Sequence, residues 1–188
     1  YSPVLKARMD HLTADFVVSP RSEAEVIEVL AAAHAHDVPV TVRGAGTGNY
    51  GQAMPSCGGI VLHMKNLTAV KAILPGRVIA EPGILIRDLD TETRAHSGQE
   101  LRMHPSTAGT ATLGGFIGGG SGGVGSCTWG VLRDPGNIRM LVRHFASEPP
   151  EPAIGTSTGL KLFLRHLDAP SALLDMLFHG DAFVHRSG

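Results

Sequence analysis

The sequence has 188 residues, a formal net charge of −1, and 43% hydrophobic against 18% charged residues. That composition describes a globular chain with one sizeable core or two small ones. Near-neutral charge without a run of like charges gives no electrostatic case for nucleic acid or an anionic membrane as partner, and no apolar stretch approaches the roughly 20 residues of a spanning helix.

No basic-then-apolar leader opens the sequence. Because it starts with Tyr1 and not methionine, it is expected to begin inside a longer chain. Residues 15–18 (DFVV) read as a short strand ending at Ser19-Pro20. Ser22 followed by Glu25 is a capping box, with Ser22 as N-cap and Glu25 at the third helical position. The helix it predicts, 23–36, carries Val26, Ile27, Leu30 and Ala31 on one face, and Asp37 ends it. "VPVTV" (38–42) then reads as a buried strand, making a strand–helix–strand unit with parallel strands and a right-handed crossover. His34 and His36, two apart on this helix, face different directions, and no HExxH occurs, so no metal site is expected. Cys57 and Cys127 form no metal pattern and are expected as reduced thiols.

"GGIVLHM" (58–64) predicts another strand. Two β-rich runs about Pro75-Gly76 predict a hairpin. Residues 84–96 have helical spacing at Leu85, Leu89 and Thr93, with Ser97-Gly98 as the stop. The result is an α+β chain without the regular alternation of a doubly wound sheet.

Two glycine-rich segments punctuate this pattern. "RGAGTGNYGQ" (43–52) contains GTGNYG, a formal match to the dinucleotide fingerprint. That fingerprint requires a helix to follow and an acid about 20 residues on. Here the chain continues Gln52-Ala53-Met54-Pro55, position 71 is lysine, and no Asp or Glu occurs between Asp37 and Glu81. The Rossmann reading therefore fails, and so does a Walker A loop, for want of Gly-Lys-Ser/Thr. A strand ending in Arg43 and running into exposed backbone amides remains, which suits a nest for phosphate oxygens. Thr47 can add a hydroxyl, and Arg43 either binds phosphate or anchors the loop through carbonyls. The second segment, 104–126, has eight glycines among residues 114–125. A flexible linker is one reading. Leu113, Phe116, Ile117 and Val124 at their intervals favour the other, backbone held close to a ligand. Ser106, Thr107, Thr110 and Thr112 supply hydroxyl donors ahead of Gly114-Gly115.

Several motifs in order carry a family resemblance: V-R-G-A-G-T-G-x-Y-G, then Glu81-Pro82-Gly83, then H-P-S-T-x-x-T-A-T-L-G-G-F, S-x-G-G-x-G-S and T-W-G-x-L-R-D-P-G-N-I. Over roughly residues 1–139 the chain resembles the FAD-binding domain of FAD-linked oxidases. That is the vanillyl-alcohol oxidase/PCMH superfamily, on its glycolate oxidase and D-lactate dehydrogenase-like branch. The resemblance implies a PCMH-type α+β domain of two small α/β subdomains holding FAD between them. Arg43, Gly44, Ala45, Gly46, Thr47, Gly48, Tyr50 and Gly51 would wrap the pyrophosphate. Pro105, Ser106, Thr112, Gly114, Gly115, Gly118, Gly119 and Gly122 would lie along the ribityl and isoalloxazine portions. Where the tethered branch places a flavin-bearing histidine, this chain has Ala45, Gly46 or Thr47, and Cys127 is poorly placed. Non-covalent FAD is therefore expected.

Residues 140–188 depart from the family. They are expected to be an atypical tail: truncated or frame-shifted, spliced across missing segments, or a divergent end with a helix at about 170–179. On this reading the domain is incomplete at its C-terminal side, and the substrate-binding half lies in another segment or subunit. The function implied is the FAD-binding portion of a cytoplasmic oxidoreductase acting on a hydroxy acid or alcohol as small-molecule substrate. The alternatives are a non-catalytic nucleotide-binding remnant, or a flavin reductase of enolpyruvyl sugars. No residue is assigned a catalytic role.

Overall fold

The structure, a computed structural model, describes residues 3–120, 122–132, 134, 138–140 and 180–186. The expected helix at 170–179 lies outside these, as does most of the tail. The chain opens with α1 (Pro3–Met9), β1 (Phe16–Val18), α2 (Glu23–Ala35), β2 (Val40–Arg43) and β3 (Ile60–His63). The three strands form one parallel sheet in the order β1-β3-β2. The strand–helix–strand unit is thus present, with β3 inserted between its two strands. Val26 and Leu30 of α2 pack with Leu62, Met64 and Leu67 to make the core of this first lobe.

Local chemistry starts and stops α2 as its sequence dictates. Ser22 is the N-cap, its hydroxyl accepting from the Glu25 N–H at 3.2 Å. The Glu25 carboxylate reaches back one residue further than a standard capping box, accepting from the Arg21 N–H at 2.7 Å. After the C-cap His36, Asp37 takes a left-handed φ of 53° and turns the chain out. The buried face differs from the expected one. It is Val26, Leu30 and Ala33, whereas Ile27 is 42% exposed and Ala31 is exposed. With apolar residues at 26, 27, 30, 31 and 33, two stripes compete, and the one that meets Leu62 and Met64 wins.

The second lobe begins with the hairpin of β4 (Val70–Leu74) and β5 (Arg77–Ala80), closed by Pro75-Gly76 with Leu74 opposite Arg77. There follow α3 (Ile86–Ser97), β6 (Gln99–Leu101), α4 (Leu113–Gly119), α5 (Ser126–Trp129), β7 (Ile138–Met140) and β8 (Gly180–Arg186). β8 pairs antiparallel with β5 on one side and with β6 and β7 on the other. Gly98 ends α3 in the left-handed region, its N–H bonded to the Arg94 carbonyl at 2.9 Å. Ile86, Leu89 and Thr93 of α3 are buried, with Val78, Ala80, Leu101, Met103, Leu113, Phe116 and Leu132 around them. The buried Thr93 hydroxyl is satisfied by donating to the Leu89 carbonyl at 2.7 Å. An ionic clamp ties α3 to β6. Asp90 accepts from Arg94 and from the Leu101 N–H, both at 2.7 Å, and Arg94 also pairs with Glu100.

The two lobes meet where their backbones touch. Gly83 donates to the Leu67 carbonyl at 2.7 Å, and a Cβ on Gly83 would collide with the Met64 carbonyl. Gly44, just past β2, lies against Thr112 and Gly115 at the start of α4, while within the second lobe Gly114 donates to the Pro82 carbonyl at 2.8 Å.

The corrected face of α2 makes a direct prediction. Leu30→Ala should lower unfolding free energy by about 2–5 kcal/mol, while Ile27→Ala should change it by about 0.5 kcal/mol or less. Equal losses in urea unfolding would refute the burial assignment.

Candidate cofactor site

The site is built from the two glycine-rich segments, and the structure joins them at one point. β2 delivers Arg43 and then Gly44, whose Cα lies against the start of α4. A Cβ on Gly44 would collide with Thr112 Oγ1 and come within 3.4 Å of Gly115 Cα. Thr112 is the buried N-cap of α4, its hydroxyl accepting from the Gly115 N–H at 3.3 Å. The stretch before it is pinned to the segment leading into α3. The Ile86 N–H bonds the Ala111 carbonyl at 3.0 Å, and the Leu113 N–H bonds that of Ile84 at 2.9 Å.

The first loop projects beyond this contact. Residues 45–50 are exposed, and among the described residues no backbone N–H of residues 44–49 has a hydrogen-bond partner. Gly46, at φ +69°, makes the reversal that bends these amides into a concave run, a conformation a Cβ would strain. Beneath it lies the Arg43 side chain; a Cβ on Gly46 would come 3.0 Å from its Nε. Among the described residues the Arg43 guanidinium has no hydrogen bond or ion pair, so the loop-anchoring role through carbonyls has no support here. Its donors remain for a ligand. Gly48 packs against the Gln52 side chain, which also accepts from the Tyr50 N–H at 3.2 Å, and the Tyr50 side chain is 78% exposed. Gly51, at φ +74°, closes the loop against Met9 of α1.

The second segment is not a loop throughout. Four glycines notwithstanding, residues 113–119 form α4. Leu113 and Phe116 are buried in the second core with Ile117 packed against it, while Gly115, Gly118 and Gly119 form the exposed face. Among the described residues no atom lies within 4 Å of where a Cβ would stand on Gly118 or Gly119. A helix loses about 1 kcal/mol for each glycine that could be alanine, and this exposed face of bare backbone leaves room for a flat group to approach. Gly114 faces elsewhere, toward Pro82, and ties α4 to the turn after β5. Pro105 accepts from the Ala108 N–H at 3.0 Å in a turn that exposes Ser106, and Gly122 packs against Ser126 and Val131.

His63 belongs to this site although the motifs do not single it out. It ends β3 as Arg43 ends β2, the two are register partners, and its ring N–H donates to the Gly44 carbonyl. Burial, chiefly, with the positive charges of Lys65 and Arg43, holds its pKa below 6.5 against the opposing effect of that hydrogen bond. Just below pH 6.5 the unfolded chain therefore binds the proton more readily than the folded one. The stability His63 contributes is full above about 6.5 and is lost as pH falls through its lowered value. The signal in the sequence was its position: "IVLH" and "VTVR" are parallel strands that end level.

An open run of amides, an uncommitted guanidinium and a bare helix face meet within one junction. Residues 14–135 match the family described as FAD binding domain. The chain belongs to that family. It is 37% identical over 119 residues to D-lactate dehydrogenase of Archaeoglobus fulgidus, covering 63% of this chain and 26% of that protein. It is 32% identical over 122 residues to the glycolate oxidase subunit GlcD of Bacillus subtilis, covering 64% and 26%. The chain thus spans about a quarter of the length of these relatives. Among solved structures, alkyldihydroxyacetonephosphate synthase superposes with a TM-score of 0.64 at 20% identity, over 90% of this chain and 31% of the other, which shows the shared fold. The cofactor of the domain is FAD, and the residues present fit it: a concave amide run beside a cation for phosphate, and a side-chain-free surface next to it for a ring system.

Two glycine substitutions separate structural from ligand-facing roles. Gly44→Ala should destabilise the fold by on the order of 1–3 kcal/mol through overpacking on Thr112 and Gly115. Gly118→Ala should stabilise it by roughly 0.5–1 kcal/mol while weakening FAD binding. Thermal melts with and without FAD read both effects, and a Gly118→Ala protein that bound FAD unimpaired would remove α4 from the site.

Proposed function

We propose that this chain is the FAD-holding portion of a flavin-dependent oxidoreductase that oxidises a hydroxy acid or alcohol. The observation that carries the reading is the junction of Gly44 with Thr112 and Gly115, which sets the open amides of the first loop beside the bare face of α4. On this reading the amides of residues 44–49 and the Arg43 guanidinium hold the pyrophosphate, with Thr47, Tyr50 and Gly51 shaping the loop. Gly115, Gly118 and Gly119 let the ring portion approach helix backbone, and Pro105, Ser106 and Gly122 extend that surface. When bound, FAD supplies a two-electron acceptor for the hydride of a hydroxyl-bearing carbon.

The substrate class follows from the named relatives, a D-lactate dehydrogenase and a glycolate oxidase subunit. Because the chain spans about a quarter of their length, a substrate-binding segment or subunit completes the enzyme. FAD is held without a covalent bond: Ala45, Gly46 and Thr47 offer no imidazole or thiol, and the exposed Cys127 follows α4 on a separate helix. Two free, exposed cysteines suit a reducing compartment, and we place the protein in the cytoplasm. Among the described residues no helix is long and apolar enough to cross a membrane.

The purified chain should take up FAD and show a flavin absorption band, and acid precipitation should leave that band in the supernatant. Flavin retained in the pellet would overturn the non-covalent assignment. A chain that stayed colourless after incubation with FAD would overturn the reading itself.

A further inference from the structure

Resting on the FAD reading above, we infer that His63 is a proton-dependent anchor for the cofactor's pyrophosphate, placed beside Arg43 on the floor of the first loop. In adjacent parallel strands, register partners send their side chains to the same side of the sheet. His63 and Arg43 are such partners, at the carboxyl ends of β3 and β2. The two rise together where the chain leaves the sheet for the loop, the end of a parallel sheet at which ligands collect. The ring is already tied to the loop, because its N–H donates to the Gly44 carbonyl. Gly44 is in turn the residue seated on Thr112 and Gly115. His63 thus touches the hinge of the amide run that would hold the phosphates.

The charges around the ring give this placement its consequence. The charged groups acting on it are Arg43, from β2, and Lys65, just beyond β3; among the described residues no carboxylate does so. In the free protein, burial and these two cations hold the imidazole's pKa below its ordinary value, against the opposing Gly44 hydrogen bond. A pyrophosphate seated on the loop amides brings two negative charges into the same space and reverses the local field. The imidazole then takes up a proton and becomes a third cation alongside Arg43 and Lys65. Binding and protonation are linked, so affinity rises as pH falls, by at most about tenfold per pH unit for a single proton.

The test uses the full chain with FAD. Dissociation constants from flavin fluorescence at pH 5.5, 6.5 and 8.0 should show several-fold tighter binding at the acid end. Titration calorimetry at pH 6.5 in two buffers of different ionisation enthalpy should show fractional proton uptake. His63→Gln should abolish both the slope and the uptake. Lys65→Gln should weaken binding at every pH yet leave the slope intact. The calorimetric arm needs no variant, so it stands even if His63→Gln folds poorly. FAD binding that is independent of pH, without proton uptake, overturns this inference and leaves the FAD reading standing, and a slope that survives His63→Gln does the same. Failure to bind FAD at any of the three pH values overturns the FAD reading on which the inference rests.

Discussion

Backbone lying directly on backbone, across the seam between two lobes, is the constraint from which the remaining geometry follows. Each lobe has its own core: Val26, Leu30, Leu62, Met64 and Leu67 in the first, and a larger cluster around Ile86, Leu89 and Phe116 in the second. What fixes one lobe against the other, at the places described, is Gly83 on the Met64 and Leu67 carbonyls and Gly44 on Thr112 and Gly115. A methyl group at either glycine would force the lobes apart by more than a core tolerates. The same closeness brings the amides of the first loop up to the start of α4. Holding the fold together and forming the site are therefore one requirement on one set of residues.

The electrostatic character of the site is equally one-sided. Arg43, His63 and Lys65 gather where β2 and β3 end, and the amides of residues 44–49 add partial positive charge that no acceptor among the described residues consumes. Such an arrangement is unfavourable alone and is relieved by an anion. The opposite design holds between α3 and β6. There Arg94 is paired with both Asp90 and Glu100, and Asp90 also accepts from the Leu101 N–H, so the charges are spent on tying α3 to β6.

What the sequence discloses depends on how local the responsible physics is. The Ser22 cap, the Pro75-Gly76 hairpin and the Gly98 stop of α3 rest on neighbours within four residues, and each was legible. The face of α2 was not, because Ile27 and Ala31 satisfy helical periodicity as well as Val26 and Leu30 do. Only contact with β3 distinguishes the two stripes. β6, three residues containing Gln99 and Glu100, is too short and polar to announce a strand. α4 was hidden for a different reason: four glycines in seven residues argue against a helix, and it exists because Leu113 and Phe116 are anchored in a distant core. The glycine segments stood out as a candidate nucleotide site through their order along the chain. His63 escaped notice because its relevance needs the β2–β3 register, a pairing of residues twenty apart.

α4 also carries a dynamic consequence. Its intrinsic helical tendency is poor, and it is held chiefly through Leu113 and Phe116, the Thr112 cap and the Gly114 bond to Pro82. In the free protein its amides should therefore be among the earliest of the core-anchored elements to exchange with solvent, opening locally while the rest of the second lobe stays closed. A flat ligand laid on the glycine face would cover Gly118 and Gly119, which no side chain covers among the described residues. Part of the cofactor's binding energy would then be spent on ordering these roughly two turns of helix, leaving a protein whose rigidity is completed by its flavin.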